Sequence, residues 1–573
     1  MTDVLLRAAG LSRGALVAVT YLPDVGLAVA TGEEVITLDP ADAVRAVEEA
    51  ERALFPRWLW WSTETYAALG VRVSRCWDLA AVHRLLFGGW RADPALVWAS
   101  LHDLPATSIP GLGQLDLLDT GDDDSGGDPE DPVQPGGHLR PEWTSGGWAR
   151  SPQRLGAWAS LALRAAGRQR ARLGGLVVGG DPVSTAHSES AAELLAVELA
   201  AGGLPMDVSR AEQLIASYIG TRPASDSDAA EARRRRDDAV LRHGGTGAER
   251  TDLRNPGQVR ALLASIGIEV ADTRSWRLEN FRGAHPFVDE LLAWRKAERI
   301  ATTYGYSWLD QNVGPDGRLR GEWSGSDGAA GRMTAGAGLH NLPAELRPAV
   351  AADPGHVFVR ADLGQIEPRV LAAVSGDRAF VRATLDDDLY APVAARLGIE
   401  RGKAKVAVLA AMYGQVSGSA GEALRGLEAA YPVAMRYLHT ARDAGRAGRD
   451  LRTYGGRLVR MWATPADADE SARRSAAAAR GRFARNAAIQ GAAAELFKMW
   501  AVTVRARAVD TGAQIVLCLH DELLVHAPIG ETEKVAALVR DCLQEAAARW
   551  APDAGVRFVA DLRVVERWSD AKA

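Results

Sequence analysis

The chain has 573 residues, 47% hydrophobic and 24% charged, proportions of globular domains that exclude wholesale disorder. No apolar run reaches the length needed to span a bilayer, so a membrane-spanning class is excluded as well. Its 67 basic against 73 acidic residues leave a net charge of −6, which excludes a uniformly basic nucleic-acid coat but not a local basic cleft.

At about 100–200 residues per domain, the length predicts roughly three to five domains. Cys76, Cys518 and Cys542 are too few and too scattered for a disulfide framework or a four-cysteine zinc site, which favours a reducing compartment. The start, Met1-Thr2-Asp3-Val4, has no basic segment followed by an apolar core. A cytoplasmic protein without a secretory signal is therefore expected.

Up to about residue 118, short apolar runs (Ala15 to Val19, Val35 to Leu38) alternate with helical stretches such as Ala41 to Leu54. That rhythm predicts a small α/β domain. Residues 119–137 turn to Asp, Gly and Pro, including Asp122-Asp123-Asp124. Such a stretch cannot bury a core and its like charges repel, so an acidic linker is expected there. From about 186 to 310 the pattern is mostly helical. Ser188 with Glu189 and Glu193 reads as a helix start, Leu194, Leu195, Val197 and Leu199 as its apolar face, and Gly202-Gly203 as its stop. Arg233 to Arg236 read as a solvated helix face, with a DNA-backbone contact as the alternative.

Three segments carry chemistry. In the first, Val357, Val359 and Ala361 alternate with Phe358, Arg360 and Asp362, which predicts a strand with a carboxylate at its C-terminal end. Pro368 suits the first turn of a helix that follows, where a missing N–H costs nothing. In the second, Ile515 to Leu519 and Leu523 to His526 flank His520-Asp521-Glu522. This predicts a buried hairpin with acids at its tip, and adjacent carboxylates in an apolar setting call for a cation. A solvent-facing turn is the alternative. In the third, Arg401, Lys405, Leu409 and Tyr413 recur every four residues from about Glu400 to Tyr413. That row on one helix face suits a polyphosphate at one end and a stacked base at the other, although an exposed cationic helix has the same spacing.

In this order the three segments resemble motifs A, B and C of the family A DNA polymerases, the DNA polymerase I type. Asp362-x-x-Gln365-Ile366-Glu367-x-Arg369 is similar to motif A, the Arg401 to Tyr413-Gly414 row to motif B, and His520-Asp521-Glu522 to motif C. Gly331-Arg332 with Asn341-Leu342-Pro343, and Arg482-x-x-x-Asn486-x-x-x-Gln490-Gly491, resemble the stretches that meet the primer end, template and duplex. Asn255-Pro256-Gly257-Gln258-Val259 and His285-Pro286-Phe287-Val288 resemble the thumb. The resemblance runs from about Glu189 to the C-terminus, and no segment resembles the 5′-nuclease domain of longer members.

The resemblance implies an α/β multidomain chain. A degenerate RNase H-like 3′–5′ exonuclease-like domain (1–185) precedes a right hand with its thumb at 186–310 and palm and fingers at 311–573, the fingers at about 370–455. It implies template-directed addition of deoxynucleoside triphosphates to a primer 3′-hydroxyl, in repair or replication. Two Mg²⁺ ions would sit on Asp362 and Asp521, with Glu522 as accessory carboxylate and Lys405 as general acid. Arg401 and Lys405 would grip the triphosphate, while Gln365, Leu409 and His520 line the nucleotide site. Tyr413 would guard the templating base, and Glu367 would lie under the sugar and exclude a 2′-hydroxyl. Arg332, Asn341, Arg482, Asn486 and Gln490 would contact DNA, where minor-groove donors sense pairing shape rather than sequence. A monomer, associated with the nucleoid when on DNA, completes the expectation.

The chain departs from the family pattern at Leu363-Gly364, where an aromatic-hydroxyl pair is usual, at Pro368, and at Leu409, where a ring is usual. These predict altered nucleotide selection. In the N-terminal region Cys76-Trp77-Asp78-Leu79 resembles part of the exonuclease fold. Ser62 stands where an acid is expected, no predicted strand carries an Asp-x-Glu (Asp128-Pro129-Glu130 lies in the acidic linker), and no Tyr-x-x-x-Asp follows near 150–185, so proofreading is expected to be absent. The competing readings are a catalytically silent primer-template binding protein and a single-subunit RNA polymerase.

Overall fold

The structure, a computed structural model, describes residues 12–32, 34–112, 128–414 and 420–572. The chain divides into two compact units. The first holds Met1–Ala201, Trp323–Thr334 and Val359–Val564; the second holds Gly202–Glu322, Ala335–Phe358 and Val565–Ala573.

In the first unit, β1 (Leu16–Leu22), β2 (Gly26–Thr31), β3 (Glu34–Leu38), β4 (Arg57–Trp60) and β5 (Cys76–Asp78) form a five-stranded sheet in the order β3-β2-β1-β4-β5. The hairpins β1–β2 and β2–β3 are antiparallel, whereas β1–β4 and β4–β5 are parallel. Alternation along the strands divides the core into two layers. Val17, Val19, Trp58 and Trp60 pack with Ala43 and Val47 of α1 (Pro40–Leu54). Ala18, Leu59 and Trp77 pack on the other face with Trp158 and Leu161 of α2 (Pro152–Gly174). Each such buried large side chain contributes about 1.5–3 kcal/mol. The alternation of strands and helix predicted from the rhythm of the sequence is thus present, within a few residues of the expected bounds, in a unit that also includes Val359–Val564.

Two expectations need correction. Of the acidic linker, residues 119–127 lie outside the described residues, but 128–137 are tied down rather than loose. Trp143 Nε1 donates to Pro129 at 3.0 Å, Trp98 Nε1 to Gly137 at 2.9 Å, and Arg154 binds Glu130. Indoles reaching for backbone carbonyls hold a segment whose own side chains bury little. Helix α3 (Pro182–Gly202) starts six residues before Ser188, whose buried hydroxyl donates to Thr185 C=O at 2.9 Å. Glu189, read as a helix-start acid, is instead buried against Arg457 and Lys498. Pro182 supplies the start that Ser188 seemed to offer. The expected stop holds, with Gly203 at φ 66°.

A second sheet, in the order β7-β8-β6-β9, is built from β6 (His356–Leu363), β7 (Gln514–Leu519), β8 (Glu522–Pro528) and β9 (Ala560–Val565). Val359, Ala361, Cys518, Leu523 and Val525 share a core with α4 (Ile366–Ser375), α5 (Arg401–Tyr413), α6 (Glu470–Arg507) and α7 (Thr532–Trp550). The predicted strand, its following helix, the hairpin and the helix that carries the four-residue row all form, the place of Glu522 in the hairpin excepted.

The second unit is mainly helical. Val240, Val259, Leu263, Phe287 and Leu291 form its core. Arg233 to Arg235 are exposed on the helix Asp226–Leu241, as expected of a solvated face, but Arg236 is half-buried beside Glu298.

Candidate active site

Asp362 is the penultimate residue of strand β6, and pleating puts Phe358, Arg360 and Asp362 on one face. Beyond Leu363 the chain passes close to its neighbour: Gly364 N–H donates to Val559 C=O at 2.9 Å. A Cβ at Gly364 would lie 3.0 Å from Val559 Cγ2. A side chain in place of the glycine of this unusual Leu363-Gly364 pair would press on that methyl group. Gln365 follows in the left-handed region, φ 55°, and launches α4. Its amide donates to Asp388 Oδ1 at 3.0 Å and its Oε1 accepts from Leu389 N–H at 2.8 Å. Arg369, fully buried, fastens the segment by donating to the carbonyls of Gly364, Thr384, Asp386, Asp387 and Arg557.

The β7–β8 hairpin closes on the pair Leu519↔Glu522, so His520 and Asp521 form the turn. His520 sits at φ 56°, a conformation costly for a side-chain-bearing residue and common at working sites. Glu522 is not at the tip, as the sequence suggested, but is the first residue of β8 and buried. Leu363 N–H donates to Asp521 C=O at 2.9 Å. That bond ties the ends of two segments more than 150 residues apart, residues 362–363 and 521–522. Burial pushes the Asp521 carboxyl up, and Glu522 and Glu367 push the same way.

A cavity of about 220 Å³ opens here, lined by Arg332, Gln365, Glu367, Leu409, Tyr413, His520 and Asp521 together with Pro368 and Tyr390. Seven of the expected site residues thus meet in one place. Glu367 is gripped from both sides, by Arg332 Nη2 at 3.0 Å and by the Tyr413 hydroxyl at 2.7 Å. Burial and Glu367 push the Tyr413 phenol up to about 12, and Gln490 bonds the same hydroxyl. Burial, reinforced by Arg332, lowers the His520 imidazole.

Other expected residues lie outside the cavity lining. Arg401 projects from the start of α5 and pairs with Asp388 at 2.5 and 3.1 Å. Lys405, one turn on, is exposed. Arg482, Asn486 and Gln490 follow each other at four-residue spacing along α6, Arg482 exposed and the other two half-buried. Asn341 belongs to the second unit, where its carbonyl accepts from Arg299 at 2.6 Å. A larger cleft of about 910 Å³ in that unit contains none of the expected site residues, and its Arg254 is paired with Asp237 and Glu298.

Three residues escaped the sequence reading. Asp388 holds Arg401 and Gln365, Tyr390 lines the cavity, and Arg360 bridges carboxylates. Arg360 Nη2 donates to Asp362 Oδ2 at 2.5 Å and to Glu522 Oε2 at 2.8 Å. Asp388 ends an Asp-Asp-Asp run and Arg360 is one polar residue in an alternating strand; neither carries a signal of its own.

No group of three or more His, Cys, Asp or Glu poised for a metal is present among the described residues. A pair of carboxylates nonetheless fits Mg²⁺, which takes one or two protein carboxylates and completes its shell with water and substrate phosphates. Asp521, buried among acids, supplies a hard oxygen donor that a cation would relieve.

The DNA polymerase family A model matches residues 253–570. DNA polymerase I of Chloroflexus aurantiacus is 33% identical over 298 residues, 46% of this chain and 31% of that protein. The thermostable DNA polymerase I of Thermus thermophilus is 31% identical over 296 residues, 47% of this chain and 35% of that protein. The chain thus aligns with about a third of the length of the curated relatives it matches. Among solved structures, the POL domain of Pol1 from M. smegmatis, in complex with DNA primer-template and dNTP, superposes with a TM-score of 0.66 at 21% identity, covering 100% of this chain and 98% of that one. The polymerase-domain fold is shared, and with more than half of its length matched by the family model, the chain belongs to DNA polymerase family A.

Proposed function

We propose that this chain is a template-directed DNA polymerase that adds deoxynucleoside triphosphates to a primer 3′-hydroxyl, in repair or replication, and does not proofread. The observation that carries the proposal is the junction of β6 with the β7–β8 turn, where Leu363 N–H meets Asp521 C=O at 2.9 Å beside the Glu367–Tyr413 cavity. Asp362 and Asp521 would hold two Mg²⁺ ions, which when bound neutralise charge on the attacking and leaving oxygens.

The chain's own residues do the rest. Arg401 and Lys405 bind the triphosphate; Arg401 exchanges its exposed, solvent-screened pairing with Asp388 for the phosphates. Lys405 gives a proton to the departing pyrophosphate. Glu367, fixed by Arg332 and Tyr413, lies under the sugar and rejects a 2′-hydroxyl. Gln365, Leu409 and His520 complete the nucleotide site, with Glu522 as an accessory carboxylate. Arg332, Asn341, Arg482, Asn486 and Gln490 contact the duplex, and phosphate contacts make binding salt-dependent.

In this reading residues 1–185 are a degenerate RNase H-like exonuclease domain, 186–310 the thumb and 311–573 the palm and fingers, the fingers at about 370–455. One feature supports the loss of proofreading: Asp78, the acid of β5, is buried and committed to Trp60 Nε1 and Ala81 N–H. No described helix is long and apolar enough to cross a membrane; the proposal places the chain as a monomer on DNA in the cytoplasm. One observation favours a second reading, a silent primer-template binding protein: Arg360 already engages Asp362.

Primer extension separates these. Deoxynucleotides should extend the primer, ribonucleotides should not, Asp521→Ala should abolish extension, and a mismatched 3′ end should persist with metal present. No extension by the folded chain would favour the silent reading, and efficient ribonucleotide use would favour an RNA polymerase.

A further inference from the structure

We propose that Arg360 is a positioning residue of the metal site: a guanidinium fixed in the sheet that claims Glu522 and shares Asp362, leaving divalent cations only Asp362 and Asp521 and loose binding until nucleotide phosphates complete the shell. The inference rests on the polymerase reading above.

Arg360 lies on β6, 4% exposed, between β8 and β9 in the sheet order. From β8 Glu522 accepts from its Nη2 at 2.8 Å, and from β9 Asp561 approaches its Nη1 at 3.6 Å. Asp362, two residues on and therefore on the same face, accepts from the same Nη2 at 2.5 Å. The Nε–H is buried with no hydrogen-bond partner, so carboxylates rather than a full set of acceptors hold the group. A cation so placed acts on the site in two ways. It neutralises Glu522 inside the sheet, keeping that side chain an accessory of the site rather than a direct metal ligand. It also puts a positive charge within hydrogen-bond reach of one metal ligand, which weakens attraction for a second cation. Asp521 stands apart, with Glu522 and Glu367 as its acidic neighbours and Arg332 as its basic one. The two aspartates are therefore unequal: one is shared in advance and the other awaits its ion.

The test is Mn²⁺ titration of the full chain by electron paramagnetic resonance, without DNA or nucleotide. Wild type should bind weakly, Asp521→Asn more weakly, and Arg360→Gln about tenfold more tightly than wild type. An unchanged or weaker affinity in folded Arg360→Gln, with Asp521→Asn still weakening binding, overturns the proposal and leaves the polymerase reading standing. Binding indifferent to Asp521→Asn overturns both. If Arg360→Gln does not fold, the double variant Arg360→Gln/Glu522→Gln removes the opposed buried charges together. Binding about threefold tighter than wild type then supports the proposal, and unchanged or weaker binding overturns it.

Discussion

Glu367 accepts from Arg332 on one oxygen and from Tyr413 on the other, so its carboxylate is aimed before any ligand arrives. Leu409 faces the same cavity without a polar or aromatic group to offer. Where a ring would stack on a base, about 1–3 kcal/mol is missing. Leu409→Phe should therefore lower the KM for an incoming deoxynucleotide by at least about fivefold in steady-state single-nucleotide insertion; unchanged KM and unchanged discrimination would show that Leu409 does not face the nucleotide. At this scale the sequence was most legible where an acid broke an apolar pattern, as at Asp362 and Asp521. Arg360 was illegible because two of its partners, Glu522 and Asp561, come from strands far along the chain. A polar residue alternating within a strand looks the same whether it meets water or two carboxylates.

Among elements, β6, α5 and the β7–β8 hairpin were readable because local periodicity specifies them. The start of α3 was not, because buried Ser188 and Glu189 imitate a cap that tertiary packing overrides. The position of Glu522 was misjudged for a related reason: a polar triplet does not reveal which of its members rejoins the strand. The junction of β5 with the helix Leu79–Phe87 makes a pH prediction. Burial, aided by Glu193, pushes Asp78 up to about 7, whereas the unfolded chain releases this proton near pH 4. The folded state thus binds more protons between these values. Its contribution to stability is intact below about pH 4 and declines as pH rises to about 7, by at most about 4 kcal/mol. Asp78→Asn should lose about 1 kcal/mol at every pH by forfeiting the Trp60 bond, yet remove that decline. Urea denaturation from pH 4 to 8 checks this, and parallel curves for the two proteins would refute it.

For the whole molecule, the net charge of −6 says little about the partner, because the residues that matter are gathered locally. Arg332, Glu367, Tyr413 and Asp521 come from segments spread over nearly 200 residues and line one cavity. Composition pointed to an ordinary multidomain protein, and only the ordered set of motifs, carried by resemblance, pointed to DNA. The division into two units, with short segments of each threaded through the other's sequence, has no signature in a linear pattern. The most direct measurement is single-turnover insertion of one templated deoxynucleotide, comparing wild type with Asp362→Asn and Asp521→Asn variants shown to be folded. The account predicts insertion by wild type and a loss of at least about a thousandfold in each variant, of the order seen when transition-state charge stabilisation is removed. Comparable insertion by either variant would contradict it.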